Sequence, residues 1–465
     1  MYRLGIGDSF LLTFRPNKNK ERHILIDCGA HHKIQEHNGT RDVADNILLT
    51  LANSNQSLDA LVITHEHWDH VSGFTEARDL FDQITIREGW FAWTEDQTDP
   101  AAKALKQILG KRDKAITCSI QRLIAASSKD LREMGKDLSA VHSFNSTRIS
   151  TGRDANKRNP RAAFAYAKQH ANNILYFHPG TVHEPEWLPG FRVYSLGPPK
   201  DLAMVKKGEG AVGSQMYELE GKAQGFFQAL GVSSKSGSGA PFDDALFWED
   251  ITKQDTSKFA EKWPRLSDNY IKERWRRIDD EWLTSGLRIA LEYNDDTNNT
   301  SLALVFEHIE SGRTLLFPGD AQIGAWLSWR DLSWTIKDEQ GAEKTVTTQD
   351  LLRRAVFYKA GHHGSHNATL MQGGLESMTN PDLVVAIPVD ETKAKRKRPP
   401  WRMPAEKLHQ RLLERTRGKI LRSDKDAPAL KSIVPPYGLS PRQWSLFLGC
   451  VRHDPNKLFI DYYLT

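Results

Sequence analysis

Thr64-His65-Glu66-His67-Trp68-Asp69-His70-Val71-Ser72-Gly73 holds the densest chemistry in the chain. It sets three imidazoles and a carboxylate within six residues, directly after the apolar run Leu58-Asp59-Ala60-Leu61-Val62-Ile63-Thr64. That run is short, apolar and β-branched, so it reads as a buried strand. A strand of this kind delivers the residues after it to the C-terminal edge of a sheet, where α/β folds place their chemistry. In a tight loop His65 and His67 can face one cation while Asp69 and His70 reach a second. A polar strand-to-helix turn needs one such residue to cap it, not four. Mixed imidazole and carboxylate ligation suits Zn²⁺ and also admits Mn²⁺.

Two further strand ends carry residues of the same type. Residues 301–307 and 314–317 read as strands, the second running into Pro318-Gly319-Asp320, with a helix over 321–329. Residues 355–359 read as another, ending at Ala360-Gly361-His362-His363-Gly364-Ser365-His366. Asp320 can bridge two cations, and His362 or His363 can complete the second. His362 is favoured because it comes first after the strand. His363 and His366 are then left to meet substrate, and Ser365 either does the same or shapes the glycine-rich turn. Asp8 and Asp27, at earlier turns, suit orienting the metal loop better than ligating.

Around these strand ends the chain alternates strands and helices. Residues 2–14 and 23–27 read as a hairpin across the basic turn at 15–22, and 42–51 as a helix. Residues 84–87, 173–177, 191–196, 383–387 and 456–463 read as strands, and 404–416 as a helix. From about 89 to 288 the pattern turns mainly helical: a capped start at Asp99-Pro100, then 118–134, 161–170 and 270–284 with Trp275 and Trp282. Residues 232–243 (VSSKSGSGAPFD) read as a linker. The expected organisation is therefore a core of 1–90 and 289–465, with 91–288 as an elaboration that contributes core strands near 173–197.

Composition narrows the class. The 465 residues are 39% apolar and 26% charged, which suits a folded protein rather than a disordered one. No apolar run is long enough to span a membrane and the start lacks a signal-peptide pattern, so cytoplasmic residence without membrane association is expected. Cys28, Cys118 and Cys450 are too scattered for a disulfide framework. The net charge of +4 tolerates an anionic substrate. Lys393 to Arg402 (KAKRKRPPWR) is a basic excursion suited either to phosphate contacts or to a solvated loop. Trp68, Trp90, Phe91 and Trp93 can either stack on nucleobases or pack the elaboration against the core.

The chain resembles the metallo-β-lactamase superfamily, and within it the hydrolase domain of competence-type DNA-uptake proteins and their soluble relatives. The resemblance rests on Gly5-Ile6-Gly7-Asp8, Leu25-Ile26-Asp27-Cys28-Gly29, the HxHxDH of His65 to His70, Asn299-Thr300-Ser301, Phe317-Pro318-Gly319-Asp320 and Lys359 to Ser365. It implies an α/β fold, a four-layer αββα sandwich carrying a large mainly helical insertion, and a centre of two divalent metal ions. By that resemblance His65 and His67 hold the first metal, Asp69 and His70 the second, Asp320 bridges, and His362 or His363 serves the second. Many members place a further first-site histidine after the strand matching 191–196. Here Leu196-Gly197-Pro198-Pro199 follows, so His178 or His183 would have to supply it.

Two adjacent cations lower the pKa of a bound water and stabilise charge developing on the far oxygen, with Asp69 as one candidate to take the proton. The function expected is a metal-dependent phosphodiesterase acting on nucleic acid or a nucleotide. Hydrolysis of small ester, thioester or lactam substrates is the first alternative, and a non-enzymatic metal-binding regulatory module the second. A bacterial defence or mobile-element setting follows only from where such soluble relatives occur; the partners considered are a partner protein of that setting or a second copy of the chain in a homo-oligomer.

Overall fold

The computed structural model describes residues 1–17, 20–31, 39–125, 129–142, 159–206, 261–262, 264–265, 281–337, 341–396, 401–426 and 437–464. The linker at 232–243, residues 270–280 of the helix expected over 270–284, and residues 397–400 (KRPP) of the basic excursion lie outside these. The chain divides into two compact units. One comprises Met1–Gln107, Ser143–Glu209 and Asn294–Thr465; the other comprises Ile108–His142 and Gly210–Tyr293.

The first unit is mixed α/β. Its first sheet runs in chain order through β1 (Phe10–Asn17), β2 (Lys20–Ile26), β3 (Ser57–Val62), β4 (Thr85–Ala92) and β5 (Ala171–Phe177). The β1–β2 pair is an antiparallel hairpin with Phe10 opposite Ile26 and Leu12 opposite Ile24, and the remaining neighbours are parallel. The second sheet contains β6 (Val182–His183), β7 (Phe191–Gly197), β8 (Ala303–His308) and β9 (Thr314–Phe317). After a separate hairpin of β10 (Ser333–Lys337) and β11 (Glu343–Thr347), it continues with β12 (Ala355–Lys359), β13 (Val384–Ile387) and β14 (Ile420–Arg422). Its spatial order is β14-β13-β12-β9-β8-β7-β6.

The alternation of side chains along these strands explains where the core lies. Phe10, Phe14, Ile24, Ile26, Val62 and Trp90 of the first sheet share one buried cluster with Leu304, Phe306, Phe317 and Val384 of the second. The opposite faces pack on helices. Leu25, Leu61 and Ile63 meet Ile47 of the helix Thr40–Thr50, and Ala163 and Phe164 of the helix Pro160–His170. Val305, Leu316 and Tyr358 meet Trp326 of Ile323–Ser328, Leu352 of Thr348–Arg353 and Leu412 of Glu406–Thr416.

Trp68, Trp90, Phe91 and Trp93 are all 0% exposed. Trp90 packs among Phe177, Trp187 and Phe306, Phe91 packs on Phe164, and the Trp93 indole N–H donates to the Pro198 carbonyl at 3.0 Å. A ring with no open face cannot stack on a base, so these aromatics are packing residues.

In the second unit, Ile116, Ile120 and Leu123 form a buried stripe on the helix Pro100–Ala125, and Leu138 is buried on the helix Lys129–His142. His142 Nε2 lies 2.9 Å from Asp113 Oδ1. Among the described residues no helix is long and apolar enough to cross a membrane.

Candidate metal centre

The metal loop leaves β3 and is tied down by two segments from the start of the chain. Its backbone is held by hydrogen bonds from Asp8 N–H to the Asp69 carbonyl (3.0 Å), from Cys28 N–H to the His70 carbonyl (2.9 Å) and from Gly73 N–H to the Cys28 carbonyl (2.8 Å). The approach at Gly29 is so close that a Cβ there would sit 2.5 Å from the backbone of Asp69 and His70. On the far side, Leu302 N–H donates to the Thr64 carbonyl at 2.8 Å. Gly319 turns at φ +58°, and a Cβ on it would lie 2.9 Å from both Thr64 and Ser301. These two glycines let three chain segments close on one point.

Asp320 follows β9 and His363 follows β12, and these strands are parallel neighbours. One ligand atom each from Asp69, His70, Asp320 and His363, all buried, lies within 4.8 Å of the others. His70 Nε2 is 3.1 Å from Asp320 Oδ2, and His363 Nε2 is 3.0 Å from Asp69 Oδ2. Each ring is aimed from behind. His70 Nδ1–H donates to Asp27 Oδ2 at 2.7 Å, and His363 Nδ1–H to the Pro388 carbonyl at 2.8 Å. A carboxylate or carbonyl behind an imidazole fixes its tautomer and turns Nε2 forward, the usual support for a metal-ligating histidine. Asp27 also accepts from the Thr64 N–H and hydroxyl.

His65 and His67 form the other half. His65 Nε2 is 2.9 Å from His67 Nδ1, and His65 Nδ1 lies near the hydroxyls of Thr64 (3.0 Å) and Ser301 (3.3 Å). Among the described residues no third ligand-type group joins this pair at the spacing of the first cluster. His183 packs against Trp90 and Phe177, and neither it nor His178 joins a group of ligand-type residues among the described residues.

The sequence favoured His362 over His363; in the structure it is the His363 ring that reaches Asp69, His70 and Asp320. Both residues adopt left-handed backbone, φ 44° and 54°, a conformation that non-glycine residues rarely hold and that concentrates at functional sites. The bend turns the second ring toward Asp69. His362 instead offers its backbone N–H to Asp320 Oδ1 (3.0 Å) and sets Nδ1 3.4 Å from Gln322 Nε2. His366 is exposed beside Ser365 and stays out of the cluster. Sequence reasoning gave no role to Lys359, although it stands in the quoted pattern. Its ammonium is buried against Asp8, Asp320 and the Gly319 carbonyl. A lysine ending an apolar strand beside an His-His turn was the available signal.

Electrostatics separate the two halves. Burial alone would push His70 down, but Asp320, Asp27, Asp8 and Asp69 override it and hold the ring well above the ordinary range. Burial likewise opposes the His363 proton, but the hydrogen bond to Asp69 and the field of Asp320 and Asp8 raise it. Burial, with His70 and His67 alongside, holds His65 well below the ordinary value, so it is neutral. Burial takes His362 down to about 4. Asp69, despite burial, is held below the usual carboxylate range by His70 and His363, which keeps it ionised and makes it a poor proton acceptor.

These residues fit divalent cations. Asp8, Asp27, Asp69 and Asp320 are buried around one ammonium, that of Lys359, and the protons held on His70 and His363 supply further positive charge. A divalent ion can take the place of those protons. Asp69 Oδ1, Asp320 Oδ2 and His70 Nε2, on three residues of that cluster, are buried without a hydrogen-bond partner, although the last two approach each other to 3.1 Å.

No curated protein and no solved structure matches the chain. Residues 2–131, which contain the whole metal loop and both segments that strap it, match the model of the metallo-beta-lactamase superfamily, a family generally composed of hydrolases.

Proposed function

We propose that the protein is a metal-dependent phosphodiesterase of a four-layer αββα kind, acting on nucleic acid or a nucleotide. The observation that carries the reading is the convergence of Asp69, His70, Asp320 and His363 on one buried space with three unsatisfied polar atoms. In this reading Asp69, His70, Asp320 and His363 hold one divalent ion, and His65 and His67 share Asp320 with a second. Such ions, when bound, supply Lewis acidity and a nucleophile at neutral pH. The chain does the rest. Asp27 and the Pro388 carbonyl keep His70 and His363 pointed inward. Neutral His362, at the rim, is placed to touch a substrate oxygen.

An anionic substrate is supported by a basic surface. An open cavity of about 700 Å³ is lined by Arg3, Lys393, Arg396, Lys425 and Lys457, with Asp424 paired to Arg422, and includes Val389, the residue after Pro388. Asp390 and Asp426 on its wall are engaged by Lys393, and by Arg3 and Lys457. Arg396 and Lys425 have no ionic partner among the described residues. They suit sequence-independent phosphate contacts.

The test is hydrolysis of bis(p-nitrophenyl) phosphate, single- and double-stranded DNA, RNA, cyclic nucleotides and a lactam, with Mn²⁺ or Zn²⁺. An Asp69→Ala/His70→Ala variant serves as control. Phosphodiester cleavage that vanishes in the control is the expected outcome. Turnover confined to the lactam rejects the reading.

A further inference from the structure

We propose that Lys359 is the resident counter-cation of the metal cage: it holds the buried carboxylates together in the metal-free protein and, by the same coupling, weakens metal binding. The inference rests on reading the cluster as a metal cage.

Lys359 ends β12 and is 1% exposed. Its Nζ donates to the Gly319 carbonyl at 2.8 Å and to Asp320 Oδ1 at 2.9 Å, and it pairs with Asp8. An ammonium has three N–H groups, and these contacts use them all, leaving none for a substrate. Among the described residues, Lys359 is the sole lysine or arginine in ion-pair contact with any of Asp8, Asp27, Asp69 and Asp320. Without it the cage would bury four carboxylates against imidazoles alone.

The same position opposes a second cation. Lys359 occupies Oδ1 of Asp320, while Oδ2 is the oxygen left facing His70 and His363. A dication on Oδ2 would therefore share one carboxylate with an ammonium, and like charges at that separation repel strongly in a buried site. Coupling between two bound species is reciprocal. To the extent that metal makes Lys359 dispensable for folding, Lys359 makes metal binding weaker. A residue that merely positioned Asp320 would act with the opposite sign, because its loss would loosen the ligand and weaken binding.

Lys359→Met keeps the length and removes the charge. Two quantities separate the readings: Mn²⁺ and Zn²⁺ affinity by competition with a chromophoric chelator, and melting temperature with and without metal. The metal-free variant is expected to melt roughly 10 °C below wild type, as for a broken buried ion pair. Saturating metal should recover more than half of that loss, and the dissociation constant should fall about tenfold or more. Equal or weaker metal binding by the variant overturns the proposal. Wild-type protein that binds no metal overturns the cage reading and this proposal with it. Should the single variant fail to fold even with metal, Lys359→Met/Asp8→Asn removes one charge of each sign. It is expected to fold metal-free with wild-type metal affinity, and a double variant no more stable than the single one overturns the proposal.

Discussion

His65 and His67 face each other across 2.9 Å, whereas Asp69, His70, Asp320 and His363 face a common space. The first half is two imidazoles, neutral where burial suppresses their protons, as at His65. The second half gathers carboxylates that hold protons on His70 and His363. Six ligand-type residues thus do not make two equal sites. Negative charge and aimed lone pairs are concentrated on one side, and that side is expected to hold its ion more tightly.

The sharpest way to break this contrast is to count metals in two variants. Asp320→Ala strips the cluster of its shared carboxylate and is expected to lose both ions. His67→Ala should retain one. Hydrolysis should fall in Asp320→Ala by more than the roughly 100-fold upper range for outer-shell changes. Elemental analysis after dialysis decides it, and loss of both ions in His67→Ala would show that the halves are equivalent.

A smaller effect is expected at Asp27, which touches the cluster only through His70 and Thr64. Asp27→Asn should keep the fold and lower metal affinity by about 10–100-fold. Affinity unchanged within threefold would mean that the packed surroundings alone orient His70.

The smallest effect is in the melting temperature of chelated protein against pH. His70 and His363 have raised values in the folded state, so their contribution is complete below the unfolded value of about 6.5 and is lost as pH rises through the folded ones. Asp69 and Asp320 are depressed, so their contribution is lost only on the acid side. Metal-free protein should therefore melt progressively lower as pH rises above about 6.5, and metal-loaded protein should not follow it, because metal displaces those protons. A flat metal-free profile would remove the protonated half from the comparison.

Much of the arrangement is legible in the chain. Strands read at 314–317 and 355–359 coincide with β9 and β12, and the metal loop follows β3 as its apolar run requires. The hairpin β10–β11 was missed: Ser333–Lys337 does alternate, with Trp334 and Ile336 buried, but its partner Glu343–Thr347 is polar except for the buried Val346 and gives no matching signal. The aromatics at 90–93 were ambiguous, since a tryptophan suits a core and a stacking platform equally and only burial separates the two.

Sequence by itself determined the ligand types, their places at strand ends and the loop that carries four of them, because those depend on local pattern and spacing. Tertiary structure alone decided the rest: His363 rather than His362 turning inward, Asp27 behind His70, and Lys359 wedged between Asp8 and Asp320. These depend on residues distant in the chain, 43 positions for Asp27 and His70 and 294 for Asp69 and His363, meeting in a low-dielectric interior, where a bend of one residue and the sign of one buried charge set the chemistry.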